Sequence, residues 1–384
     1  MLPGKNEGSM YEMIERYILE LIRRSTPRQT AWNMEKIRAG EPVKWNYIDG
    51  CMLGALVRMT EITGDDRYFA FVREVAGCFV QEDGSILTFE ADKHALDDYN
   101  EGRILFPVYA KTGEEKYRKA ADMLYRSLRQ QPRTPEGNFW HKEIYPNQVW
   151  LDGTYMALPF LAMYEKTFGN GDFSDIIRQL RVVRDRMRDP ETGLYYHGYD
   201  ASRKAFWADP ETGLSRCFWL RAIGWFSLAL ADLAEILPEG TPEREEITGM
   251  FRELMESAVK YADPETGMYW QVMDQAGREG NYPETSGSSM IACAMLKGAR
   301  LCVLDSAFRE QGRKTFEGIL NGYLKTEDGL PALSNICLVA GLGPENNRRR
   351  DGSYEYYISE PVVSNDAKGA APFVLCYTEI RQAE

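Results

Sequence analysis

The residues best suited to chemistry are two aspartates set in front of apolar helical runs. Asp152 lies in Trp150-Leu151-Asp152-Gly153-Thr154-Tyr155-Met156, and Asp97 in Leu96-Asp97-Asp98-Tyr99-Asn100-Glu101-Gly102-Arg103. Two carboxylates that face one another can divide acid and base work, because a like charge or an apolar wall keeps one of them protonated near neutral pH. Both positions are also helix-start chemistry. A short oxygen-bearing side chain accepts from the orphan amides of a first turn, so each aspartate reads equally as an N-cap. His141, in Phe139-Trp140-His141-Lys142, and His197, in Tyr195-Tyr196-His197-Gly198, are two of the 3 histidines and sit in aromatic segments between helices. They form no i, i+4 pair and have no cysteine partner, so they read as hydrogen-bonding groups for a ligand, or as histidines satisfied by backbone, and not as metal ligands. Arg221 and Lys368 are the cations placed to receive a carboxylate, with a salt-bridged role the default for Lys368. Trp150 and Trp225 belong to a set of tryptophans between hairpins or in first turns. Their flat faces suit a sugar ring as well as a core.

These residues must be held by helices. Met13, Ile14, Tyr17, Ile18, Leu21 and Ile22 recur at helical spacing before Ser25-Thr26-Pro27 ends the run. Helix–turn–helix units then follow one another. The spacing predicts helices over 49–58 and 68–80, 103–110 and 117–128, 158–166 and 176–187, 218–236 and 245–261, 288–304 and 308–323, and a last one over 368–380. Thr63-Gly64-Asp65-Asp66 and Thr112-Gly113-Glu114-Glu115 mark two equivalent turns, and Asp-Pro-Glu-Thr-Gly turns recur at Asp189, Asp209 and Asp263. Strand signals are confined to Ile86–Phe89 and Gly193–His197. A unit of this kind cannot bury its face alone, so the copies must stack as an open solenoid or a closed toroid. Closure is favoured by the count of six hairpins and by helices apolar all round, such as Met290–Leu296. The fold expected is all-α, an (α/α)6 barrel spanning 1–384 as a single catalytic domain, with residues 1–9 a disordered tail.

The 384 residues are 44% hydrophobic and 12% aromatic, enough for one large core. A net charge of −12 without a long basic run leaves no electrostatic footprint for nucleic acid. The 7 cysteines are odd in number, scattered and never paired as C-x-x-C, which fits reduced buried thiols and a reducing compartment. No apolar signal core or long apolar run is present. A soluble cytoplasmic protein is expected, or a periplasmic one if a leader was removed.

Taken together, several motifs resemble the unsaturated rhamnogalacturonyl hydrolases of glycoside hydrolase family 105, with the unsaturated glucuronyl hydrolases more distant. They are Leu96-Asp97 with Asn100 and Gly102-Arg103, His141, Val149-Trp150-Leu151-Asp152-Gly153-Thr154-Tyr155-Met156, Tyr196-His197, Phe218-Trp219-x-Arg221 with Gly224-Trp225, Glu284-Thr285-Ser286-Gly287-Ser288, and Asn365-Asp366-Ala367-Lys368-Gly369. The likeness runs from about Trp45 to Glu379. It departs at Leu220-Arg221-Ala222-Ile223-Gly224, where the family often has Gly before the Arg and Asn before the final Gly. The resemblance implies an (α/α)6 barrel that uses no metal or other cofactor. It also implies a Δ4,5-unsaturated uronate substrate at the nonreducing end of a lyase-generated pectin oligosaccharide, such as an unsaturated disaccharide. By this resemblance Asp152 protonates C4 and then, as conjugate base, helps water add at C5. Asp97 assists it, His141 and His197 bind the ring, Arg221 or Lys368 meets the carboxylate, and Trp150 and Trp225 wall the pocket. The partners expected are this small oligosaccharide, no nucleic acid and no membrane, for a monomer or weak homodimer. The residues alone leave open a conventional two-carboxylate glycosidase on a saturated sugar, and a non-catalytic toroid that binds carbohydrate or acts as a scaffold.

Overall fold

The computed structural model describes residues 7–327 and 329–383. Helix α1 (Glu7–Arg23) and the short α2 (Met34–Ala39) precede α3 (Tyr47–Thr63) and α4 (Asp66–Phe79). Next come α5 (Asp97–Asn100), a 3-10 turn over Glu101–Ile104, α6 (Leu105–Thr112) and α7 (Glu115–Leu128). Strand β1 (Gln148–Trp150) runs straight into α8 (Leu151–Thr167), and α9 (Ser174–Met187) is followed by β2 (Gly198–Asp200). Two long pairs follow, α10 (Leu220–Ile236) with α11 (Pro242–Ala258), and α12 (Thr285–Arg300) with α13 (Ser306–Tyr323). The remaining stretch contains β3 (Leu324–Glu327), β4 (Leu330–Leu333), β5 (Ile336–Cys337), α14 (Tyr354–Ile358), β6 (Val362–Val363) and α15 (Ala367–Gln382).

Helix α3, the α5–α6 segment, α8, α10, α12 and α15 each pack on the next, and α15 returns to α3. The inner ring is therefore closed. Its members are buried on nearly every side, which is why α10 and α12 read as apolar around their whole circumference. Helices α4, α7, α9, α11 and α13 each cover the inner helix that precedes them. Helix α1 completes the outer set against α15, where Tyr377 Oη donates to Glu15 Oε1 at 2.6 Å. This is the six-hairpin (α/α)6 barrel, with one apolar core reaching from Ile14 to Ile380. Close packing sets some glycines: a Cβ on Gly50 of α3 would lie 2.6 Å from Glu101 Cα. Among the described residues no helix is long and apolar enough to cross a membrane.

Three expectations shift. Helix α1 opens at Glu7, inside the expected 1–9 tail, while residues 1–6 lie outside the described residues. Ile86–Phe89 makes only a bridge from Ile86 to Val80, and Thr88 turns away at φ 69°. Gly193–His197 likewise keeps only the Arg188–Tyr195 bridge, and the strand begins one residue later, at Gly198.

Candidate active site

Each inner helix is followed by an antiparallel outer return, so all inner helices start at the same end of the barrel. Tyr47 on α3, Asp97 on α5, Asp152 on α8, Arg221 on α10, Ser286 on α12 and Lys368 on α15 are thereby gathered into first turns around one mouth. The positive ends of the helix dipoles point there too, which favours an anionic ligand.

Asp152 is the second residue of α8 and not its cap. Trp150 holds the cap position in extended conformation, with no side-chain cap bond. Strand β1 pairs antiparallel with β2, Trp150 opposite Gly198, and Leu151 N donates to His197 O at 3.0 Å. This short ladder carries His197 across to Asp152: its Nε2 lies 3.1 Å from Asp152 Oδ2. The two atoms are at ion-pair distance without the alignment of a hydrogen bond, and neither has another partner. His197 is fully buried, while the Asp152 side chain keeps 14% exposure. Burial pushes the Asp152 carboxyl up, but His197, and behind it His141, outweigh that and hold it below the usual carboxylate range.

Asp97 opens α5, where Leu96 stands at the cap position. The connection to β1 folds over it. Leu96 N donates to His141 O at 3.1 Å and His141 N to Gln148 O at 2.9 Å. His141 Nε2 then lies 3.7 Å from Asp97 Oδ1, and Lys142 Nζ 2.5 Å from Asp97 Oδ2. Burial drives the His141 ring down to about 4, against the pull of Asp97, so it is neutral at pH 7. Gly153 explains how the ring comes so near α8: a Cβ there would sit 3.2 Å from His141 Nδ1 and 2.9 Å from Leu96 Cδ1. Trp150 stacks on His141 at 4.3 Å and 17° and meets His197 edge-on at 5.5 Å. It is the wedge that fixes both imidazoles.

Arg221 is buried, its guanidinium 5.2 Å from the Trp219 ring, with Nη1 donating to Cys337 O at 2.7 Å. The same peptide is held from the other side, where Cys337 N donates to Glu284 Oε1 at 3.0 Å. Arg221 Nη2 is buried without a partner. Lys368 differs: its Nζ is 2.7 Å from Glu35 Oε1 and 3.0 Å from Asp366 Oδ1, so its charge is already matched. Trp225 stands one turn further down α10, stacked on Tyr155 at 5.0 Å and 19°.

The structure thus brings Asp97, His141, Trp150, Asp152 and His197 into one cluster, adds Arg221 through Trp219, and sets Trp225 a layer deeper and Lys368 in a buried pairing with Glu35 and Asp366. Sequence reasoning missed Lys142, Glu35 and Tyr357. Lys142 was within reach as the neighbour of His141. Glu35 and Tyr357 come from two short helices that leave no periodic signal. Among the described residues no group of three or more His, Cys, Asp or Glu is arranged to hold a metal ion.

Residues 21–383 match the family described as Glycosyl Hydrolase Family 88. The chain belongs to that family. A solved structure from C. acetobutylicum ATCC 824, described as a glycoside hydrolase from family 105, is 39% identical with a TM-score of 0.88, covering 97% of this chain and 99% of that one. The likeness places this family 88 member with the family 105 enzymes, and it is a glycosidase. The unsaturated rhamnogalacturonyl hydrolase YesR of Bacillus subtilis (strain 168) is 29% identical over 245 residues, 59% of this chain and 68% of that protein. Protein Atu3128 of Agrobacterium fabrum (strain C58 / ATCC 33970) is 40% identical over 232 residues, 58% of this chain and 97% of that protein.

Proposed function

We propose that the chain, acting from 1 to 384 as one catalytic domain, is an unsaturated rhamnogalacturonyl hydrolase. It removes a Δ4,5-unsaturated uronate from the nonreducing end of lyase-generated pectin oligosaccharides. The observation that carries this reading is a set of buried polar atoms around one mouth: His141 Nδ1 and Arg221 Nη2 have no hydrogen-bond partner, and Asp152 Oδ2 and His197 Nε2 have only one another at 3.1 Å. Such atoms are costly unless something polar meets them, and a sugar acid supplies both hydroxyls and a carboxylate.

The roles follow from placement. Arg221 Nη2 receives the uronate carboxylate, since Lys368 is already matched by Glu35 and Asp366. Asp152 serves as acid and base on the C4=C5 bond. In the free protein Asp152 is held low and ionised at neutral pH. Bringing a second negative charge beside it and expelling water both push the carboxyl up, so substrate binding itself generates the acid form. Its proton goes to C4, and the carboxylate then takes a proton from the water whose oxygen bonds to C5. The resulting hemiketal opens and releases the aglycone. Asp97, tied to Lys142 and beside His141, stays a negative anchor that holds His141 toward the sugar. Trp150 backs the two histidines, and Trp225 closes the floor of the pocket.

Asp152→Asn keeps the charge-neutral shape of the acid but has no proton to give. Positioned proton transfer contributes roughly 10²–10⁴-fold, so the variant should lose at least that much of the fall in ultraviolet absorbance of an unsaturated disaccharide while melting as wild type does. Turnover near wild type would remove Asp152 from the mechanism. A saturated disaccharide assayed beside it should be untouched, because only the enol ether can be protonated at C4.

A further inference from the structure

His197 presents both ring nitrogens to partners: Nε2 faces Asp152 Oδ2 at 3.1 Å, and Nδ1 lies 2.7 Å from the Tyr357 hydroxyl. Tyr357 belongs to α14, which Ser353 caps by accepting from Tyr356 N at 3.2 Å. Its carbonyl accepts from Gln271 Nε2 at 3.1 Å, and its ring stacks on Trp219 at 5.6 Å and 15°. Ring and oxygen are therefore fixed, and only the O–H bond is free to turn.

We infer that Tyr357 is a positioning residue that sets which nitrogen of His197 carries a proton, and through it whether Asp152 can hold one. The inference rests on the role proposed above for Asp152. When the hydroxyl donates to Nδ1, the neutral imidazole carries its proton on Nε2 and turns it toward an ionised Asp152. When the hydroxyl turns and accepts from Nδ1–H, Nε2 faces Asp152 with a lone pair in place of a proton, and Asp152 can then hold a proton. The second state contains one more proton than the first and is the one that can act as an acid. In turnover the Asp152 O–H bond breaks as C4–H forms. The carboxylate regains a proton from the water that bonds to C5, so the pair ends with the proton it began with.

Burial pushes the Tyr357 hydroxyl well above its ordinary value, so it remains a hydroxyl in both states. The other charged and titratable groups facing the trio are His141, with Asp97 and Lys142 beyond it, Arg221 across Trp219, and Cys217, Asp351 and Tyr356 around the phenol. A phenylalanine at 357 would keep the stacking on Trp219 and remove only the partner of Nδ1. Both states lose by that, but a buried N–H without a partner is worse than a bare lone pair, so the acid form loses more.

Tyr357→Phe should fold and melt close to wild type, lower kcat roughly 10- to 100-fold with KM little changed, and move the basic limb of the kcat–pH profile to lower pH. A merely structural role would lower kcat equally at every pH. A folded variant with the wild-type pH profile overturns the inference. Nitrogen NMR of the wild-type enzyme, with His197 identified by its loss in His197→Gln, is the second arm and needs no Tyr357 variant. In the free enzyme at neutral pH, where Asp152 is ionised, Nε2 should carry the proton and Nδ1 should be bare, and a proton held on Nδ1 there overturns the inference equally. If wild type leaves the unsaturated disaccharide intact, the functional assignment fails instead, and the NMR arm still decides the tautomer.

Discussion

His141 carries the clearest electrostatic signature in the site, because burial costs its charged form more than Asp97 returns. The sign of its effect on stability follows directly. The unfolded ring takes a proton near pH 6.5 and the folded ring only at about 4, so the unfolded state binds more protons between those values. His141 therefore favours the folded state fully above pH 6.5, and that advantage is lost as pH falls toward 4. With about 1.4 kcal/mol per unit, up to about 3 kcal/mol is at stake. His141→Asn should flatten the stability profile over this window, measured by urea unfolding at pH 7 and pH 4.5. An unchanged slope would mean that the ring titrates normally. In the sequence, His141 and His197 stood out because they are rare and sit among aromatic residues. Lys142 did not, since a lysine beside a histidine carries no mark of its own until Asp97 is placed 2.5 Å away.

At the scale of elements, the long inner helices were legible and the short ones were not. Helices α10 and α12 announce themselves by continuous apolar runs, and the three Asp-Pro-Glu-Thr-Gly turns form as their chemistry dictates. At Asp263, for instance, Oδ1 accepts from Thr266 N at 2.8 Å. Strands β1 and β2 are three residues each, too short for alternation to register, yet their pairing brings His197 to Asp152. The cap reading of both aspartates failed for a related reason. A backbone arriving as a strand enters α8 with Trp150 already extended, which leaves Asp152 inside the first turn, free to face the mouth. Helix α5 shows the opposite strain, with acids crowded into one turn. Burial, then the neighbouring Asp97, push Asp98 up to about 7. A raised carboxyl favours the folded state below its unfolded value of about 3.8 and loses that advantage as pH rises through 7. Asp98→Asn keeps an acceptor for Asn46 and removes the charge. It should stabilise the protein by about 1–2 kcal/mol at pH 8, after discounting for solvent screening at a partly exposed group, and by little at pH 4. Equal melting shifts at both pH values would contradict this.

The whole molecule places the proposed site and a chain of ion pairs at opposite ends of the barrel. At the far end from Asp152, a chain of buried and half-buried ion pairs crosses the inner ring. Arg103 meets Asp232 at 2.6 Å, Asp232 meets Lys297 at 2.6 Å, and Lys297 meets Glu235 at 3.0 Å. Arg300 then joins Glu235 to Glu379 on α15, at 2.6 Å each. The network ties the α5–α6 segment, α10, α12 and α15 together beside a cavity of about 270 Å³ that the side chains leave unfilled. Tyr155 and Trp225 stand between this end and the mouth. Removing one partner of a buried pair leaves an uncompensated charge and costs about 3–5 kcal/mol, more than replacing the whole network would. Asp232→Ala strands both Arg103 and Lys297, so it should lower Tm clearly. Because Asp232 bonds to Arg103 and Lys297, neither of them at the mouth, kcat, KM and the pH profile measured well below Tm should match wild type. Arg221→Lys should instead raise KM for the unsaturated disaccharide, since a point charge replaces the fork that would grip a carboxylate. A change in KM or pH profile in Asp232→Ala would show that the two ends are coupled through the Tyr155–Trp225 layer, and the division of labour along the barrel axis would fall.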